Sequence, residues 1–189
     1  MTRPSERPLP GGPLAIDLLN TTWQSRDEIV DWLDTDSAVR QFAAEYGHSI
    51  TQAEAPRWRA ALVRSREITQ RLLESTNASS NELTSEVNAV LAAARAVVVP
   101  TEAGPRLAIT GEQPHDQLAV EALVNAIELR TASADRLRCC EHESCVLWFL
   151  DTSKAGRRRW CSMERCGNRS KAKRHYQRKQ ASPATPGRL

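Results

Sequence analysis

The stretch "CCEHESCVLWFLDTSKAGRRRWCSMERCGNR", Cys139–Arg169, holds all five cysteines of a 189-residue chain. Cys140 and Cys145 form one C-x4-C pair, Cys161 and Cys166 form another, and fifteen residues separate the pairs. The opening "MTRPSERPLPGGP" lacks the apolar centre of a signal peptide, and no window offers about 18 uninterrupted apolar residues. A cytoplasmic protein without a membrane span is expected. Disulfides are rare in that compartment, so thiols clustered there point to metal.

Four thiolates at about 2.3 Å make the tetrahedral shell that suits Zn²⁺, and four protein ligands leave no position for an activated water. The expected role of the ion is structural. A segment of about 40 residues buries too little apolar surface to fold alone, and zinc contributes about 10–16 kcal/mol to small fingers. An iron–sulfur cluster takes the same donors. Cys139 is an alternative to Cys140 as first ligand, although the equal pair spacing favours Cys140. His142 and His175 compete as donors, the first with a solvent-facing reading and the second with a place among the basic residues.

"VLWFLD" and "RRRWC" are strand-like, with "TSKAG" as a turn between them, so a hairpin is expected to bring the two pairs together. "CGNRSKAKRHYQRK" then sets off as a helix with Cys166 near its start, where the helix dipole favours a thiolate. That order is treble-clef-like.

Charge divides the chain sharply. Residues 1–153 carry a net −8 and residues 154–189 a net +11. A basic end on an acidic body points to a polyanionic partner. The candidate nucleic-acid contacts are Lys154, Arg157, Arg158, Arg159, Arg165, Asn168, Arg169, Lys171, Lys173, Arg174, Arg178 and Lys179. Cations on most sides of a helix suit phosphates, whose neutralisation releases counterions. Asn168 has a second reading as a helix cap. Trp148, Phe149 and Trp160 are candidates either for stacking on unpaired bases or for packing the finger.

Upstream, helical periodicity dominates. Ser25 and Glu28 have the spacing of a capping box, which predicts a helix with Ile29, Trp32 and Leu33 on one face. Further helices are predicted over 37–46 with Gly47 as the stop, from Thr51 and Glu54 to about 75, through Leu83, Val87, Val90, Leu91 and Ala94, and over about 116–137. "AVVVP" and "RLAIT" around "TEAGP" predict a hairpin. The fold class is therefore mainly α with a small β-hairpin, followed by a treble-clef-like zinc finger of hairpin plus basic helix. The predicted division is a disordered segment over 1–13, a helical domain over 14–137, the finger over 138–180 and a disordered tail over 181–189.

In the body, Asp17, Asn20 and Trp23 form a polar and aromatic group that is a candidate ligand site, with turn and cap roles as the alternative. No catalytic triad, phosphate loop or paired-carboxylate site is present in the sequence, so an enzyme is not expected.

The run from "RLRCCEHESC" through "FLDTS" and "RRRWC" to Cys166-Gly167-Asn168-Arg169 resembles the CGNR zinc finger. "PLAIDLLNTTW" and the helical layout to about residue 137 resemble the ABATE domain that precedes this finger in a family of bacterial stress-induced transcription regulators. The resemblance implies zinc on Cys140, Cys145, Cys161 and Cys166 and DNA binding by the basic helix. The doubled cysteine at 139–140 departs from the family pattern. The expected function is a transcription regulator, nucleoid-associated, whose helical domain senses a ligand or forms a homodimer. The alternative is an RNA-binding or acidic-protein-binding module around a structural zinc.

Overall fold

A computed structural model describes residues 7–25, 28–75 and 81–181, without the side chains of residues 175 and 179–181. The outer parts of the two expected disordered ends, and the Lys179 side chain, lie outside the described residues. Within the expected disordered lead-in, Arg7 and Pro8 are buried.

Two long helices make the centre. In α3 (Ala55–Glu74), Trp58, Leu62, Ile68 and Leu72 recur at helical spacing and are buried. In α5 (Pro114–Ser133), Leu118, Ala122, Leu123, Ala126 and Leu129 do the same. The two stripes face one another, and the buried Ser65 hydroxyl donates to Ala119 O at 2.7 Å across the seam. Arg130 of α5 donates to Leu72 O and Ser75 O, both at 2.7 Å, satisfying carbonyls that the end of α3 leaves open.

Around this pair lie α1 (Leu14–Leu19), α2 (Asp36–Glu45) and α4 (Asn81–Leu91). Gly47, at φ +84°, ends α2 as the sequence predicts, with its N–H donating to Ala44 O and that of His48 to Ala43 O. The predicted "AVVVP"/"RLAIT" hairpin is present as β3 (Ala94–Thr101) paired antiparallel with β4 (Gly104–Gly111). Ala94, predicted as the end of the fourth helix, opens β3 instead. Helix α5 starts at Pro114, whose missing N–H costs nothing in a first turn.

One predicted helix is absent. Residues around Ser25 and Glu28 form a second hairpin, β1 (Thr22–Ser25) with β2 (Glu28–Asp31), in which Ser25 and Glu28 face each other as strand partners. Ile29, predicted to point inward, is 68% exposed. The side chain of Asp31 accepts from buried Arg66 of α3, and this long-range pairing holds the strand where local spacing suggested a helix.

The finger packs onto this body. Cys140, Leu147, Phe149, Cys161 and Cys166 belong to the same buried cluster as Leu18, Trp23, Trp32, Phe42 and Trp58. Among the described residues, no helix is long and apolar enough to cross a membrane.

Candidate metal centre and basic helix

The Sγ atoms of Cys140, Cys145, Cys161 and Cys166 all lie within 4.8 Å of one another. Cys161 Sγ is 3.8 Å from Cys145 Sγ and 3.5 Å from Cys166 Sγ. A tetrahedron with metal–sulfur bonds of about 2.3 Å has edges of about 3.8 Å, so this donor set fits Zn²⁺. Cys139 is exposed and outside the cluster, which leaves Cys140 as the first ligand.

Backbone bonds aim the sulfurs. Cys140 N–H donates to Leu147 O and Cys145 N–H to His142 O, closing the first loop. Cys161 N–H donates to Cys140 Sγ at 3.4 Å, and Arg169 Nη2 to Cys166 Sγ at 3.5 Å. Such donors spread the charge of a thiolate and fix its direction. The His142 ring, half-buried, accepts from Ser144 N–H through Nδ1.

The thiols cannot all ionise without a cation. A hydrogen bond from Cys161 holds Cys145 down at about 5. Burial pushes Cys140 up to about 11, and Cys161 rises because it donates to Cys145 and is buried. A dication reverses that mutual penalty, since coordinated thiols deprotonate outright.

The predicted pairing of "VLWFLD" with "RRRWC" does not form. β6 (Trp148–Leu150) pairs with β5 (Leu137–Cys139) instead. Asp151, buried at the end of β6, turns the chain by accepting from Ser153 N–H at 2.9 Å and Arg158 N–H at 2.8 Å. The Ser153 hydroxyl first, and then these two N–H groups, outweigh burial and hold its carboxyl down at about 2. The 157–161 segment then runs back as irregular chain and delivers Cys161.

Cys166 sits in a single π-helical turn, Met163–Gly167, which continues into α6 (Asn168–Ala181). The Ser162 hydroxyl accepts from Arg165 N–H and caps this run. Asn168, one reading of which was the cap, is exposed inside the run. A Cβ on Gly167 would come within 2.6 Å of Met163 Sδ and 3.0 Å of Trp160 Cδ1, so admitting one requires the Met163 thioether to shift.

The predicted cations divide by what they touch. Arg158 turns inward, its guanidinium 4.5 Å from the Phe149 ring centroid and donating to Trp160 O and Cys161 O. Arg159 pairs with Glu141 at 2.5 Å and stacks on Trp160, while Lys173 pairs with Glu143 at 2.5 Å. Arg169 donates to Arg165 O as well as to the sulfur. Lys154, Arg157, Arg165, Lys171, Arg174 and Arg178 are exposed. Glu141 and Glu143, which sequence reading passed over, neutralise two of the cations; their place between ligands Cys140 and Cys145 was the available signal. Phe149 is buried and Trp160 lies between Arg159 and Arg174, so these rings pack the finger.

The three body residues do not converge on one ligand. Asp17, 1% exposed, accepts from Tyr46 Oη, Arg7 and the N–H groups of Gly11 and Gly12. Its charge, after burial, helps raise the Tyr46 hydroxyl well above its ordinary range. Asn20 bonds the backbone of Trp148. Trp23 is buried in the core, with one edge on a cleft beside the finger.

A sulfur cluster ahead of a basic helix defines a zinc finger, and residues 136–179 match the family described as "CGNR zinc finger". Residues 12–136, well over half of the chain, match ABATE, described as "Putative stress-induced transcription regulator". The chain belongs to the ABATE family and carries a CGNR finger with a structural zinc site. No curated protein matches it.

Proposed function

We propose that this protein regulates transcription by laying one side of α6 against duplex DNA, with zinc holding the start of that helix. The carrying observation is the cluster of Lys171, Arg174 and Arg178. At about 100° per residue the three project within about 60° of one another, and they lie far around the helix from Arg169. They are exposed, and no acid pairs with them among the described residues. Lys154 and Arg157 extend the cationic surface. Arg159 and Lys173, each paired with a glutamate, contribute less, and Arg158 serves the finger's interior.

In this reading residues 14–137 form a body that senses a ligand or brings two copies together, and residues 138–180 form the DNA-contacting finger of a cytoplasmic, nucleoid-associated protein. Titrating zinc-loaded chain into labelled random-sequence duplex at two salt concentrations tests it. Binding that weakens steeply with salt is expected. Absence of binding even at low salt rejects the reading. A complex with RNA or an acidic polypeptide that duplex DNA fails to displace favours the module alternative.

A further inference from the structure

The side chain of Arg7 fills a pocket of the body from outside the helical frame. It belongs to residues 7–13, which form neither helix nor strand, yet it is 5% exposed. Its guanidinium carbon stands 5.7 Å from the Trp32 ring centroid and 5.3 Å from that of Phe42. Nη2 donates to Asp17 Oδ2 at 3.1 Å and also to Glu45. Two aromatic rings and two carboxylates around one charge make the kind of lining that holds an organic cation.

The pocket suits a guanidinium better than it suits this one. Both carboxylates accept from the same nitrogen, Nη2, while Nε and Nη1 are buried without a partner among the described residues. A guanidinium free to turn offers a carboxylate two parallel N–H groups, and a buried donor left unpaired is costly. The tether accounts for the misfit. Leu9 sits at φ +54°, in the left-handed region that disfavours a leucine, and Gly11 at φ +88°. The N–H groups of Gly11 and Gly12 donate to Asp17 and pin the far end of this strap. Arg7 therefore enters along a constrained path. The Glu45 side chain, 32% exposed, marks the side on which the pocket meets solvent.

We propose that this pocket binds a small alkylguanidinium cation, which displaces the Arg7 side chain and takes its place among Trp32, Phe42, Asp17 and Glu45. This rests on the reading of the body as ligand-sensing and gives that reading an occupant, with Arg7 as the stand-in when the ligand is absent. Pro8, next to Arg7, is part of the wall beside the zinc ligands Cys145 and Cys166, so the chain that moves with Arg7 borders the finger.

The test uses the zinc-loaded full chain without DNA, so its failure leaves the DNA reading standing. Ethylguanidinium chloride is titrated at constant ionic strength while the Trp32 indole and Arg7 Nε–H signals are followed by ¹⁵N–¹H NMR. A saturable shift at Trp32 is expected, and with it the buried Arg7 signal moves to the position of a solvent-exposed arginine. Ethylammonium, which has the same charge and tail without the planar fork, should bind at least about tenfold more weakly. Arg7→Ala removes the internal competitor and should tighten ethylguanidinium binding at least about tenfold. Arg7→Gln serves if that variant fails to fold, and should tighten it less. Glu45→Gln should weaken binding about tenfold, as loss of a charged hydrogen-bond partner does. No saturable shift at Trp32, an Arg7 signal unmoved at saturation, binding no tighter in the Arg7 variants, an unaltered midpoint in Glu45→Gln, or ethylammonium binding as tightly as ethylguanidinium overturns the proposal.

Discussion

Asn20 and Trp148 exchange two hydrogen bonds across 128 residues of sequence: Asn20 Nδ2 donates to Trp148 O at 3.0 Å, and Trp148 N–H donates to Asn20 Oδ1 at 2.9 Å. The amide side chain at the end of α1 thus stands in for a neighbouring strand on β6 and fastens the finger to the body. Asn20 is 1% exposed, and its loss leaves the half-buried Trp148 N–H and C=O without these partners. Asn20→Ala should cost about 2 kcal/mol, read as a lower urea midpoint, with faster hydrogen exchange at the Trp148 amide. Unchanged exchange there would mean that the finger does not depend on this clasp.

Gly167 is set by what surrounds it. Alanine would bring its methyl to 2.6 Å from Met163 Sδ and 3.0 Å from Trp160 Cδ1, forcing one of them to move. Gly167→Ala is expected to destabilise the finger by about 1–3 kcal/mol in denaturant unfolding. Adding Met163→Ala removes the thioether contact and should recover part of the loss, while the contact with Trp160 remains. Equal stability of the single and double variants would show that Met163 already yields.

Much of this was legible in the sequence because the signals were local. The four ligands followed from equal C-x4-C spacing, and α3 and α5 from apolar residues every three or four positions. The failures share a cause: the deciding partner lies far along the chain. Ser25 and Glu28 carry a helix-start spacing, yet the Arg66 guanidinium, 35 residues beyond Asp31, holds that segment as a hairpin. "RRRWC" has strand composition, yet Arg158 spends its side chain on the Phe149 ring and nearby carbonyls, and Asp151 takes its N–H. Charge counting treated every Lys and Arg alike, because only the folded chain sets Glu141 beside Arg159 and Glu143 beside Lys173.

Zinc retention should depend on pH with a definite sign. In the metal-free pocket Cys140 keeps its proton up to about 11, and Cys145 loses its proton at about 5. At neutral pH the incoming ion therefore displaces the protons of Cys140 and of Cys161, whose thiol is also pushed up, and finds Cys145 already ionised. Affinity must fall as pH falls, and fall more steeply below about 5, where Cys145 also holds its proton. Competition with a chromogenic chelator across that range measures it. Chelation at neutral pH should unfold the finger, seen as loss of near-ultraviolet dichroism from Trp148 and Trp160, with most helix signal from the body retained. A pH-independent affinity would contradict thiolate ligation.

The division of the cations by their contacts yields a paired expectation for DNA. Arg178 is exposed on the side of α6 that also carries Lys171 and Arg174, so Arg178→Ala should leave stability unchanged. Binding should weaken to a similar degree on every sequence, with the slope of log affinity against log salt reduced by about 1. Arg158 is half-buried over Phe149 and bound to the carbonyl of a zinc ligand, so Arg158→Ala should act in reverse order. It loosens the finger and accelerates zinc loss to a chelator, and weakens DNA binding only as far as the folded fraction drops. Salt-dependent titrations of both variants, set beside their melting curves, separate the two effects. If Arg158→Ala changes the salt slope while keeping zinc and stability, Arg158 reaches phosphate itself, and the division of the basic residues into interior and exterior sets fails.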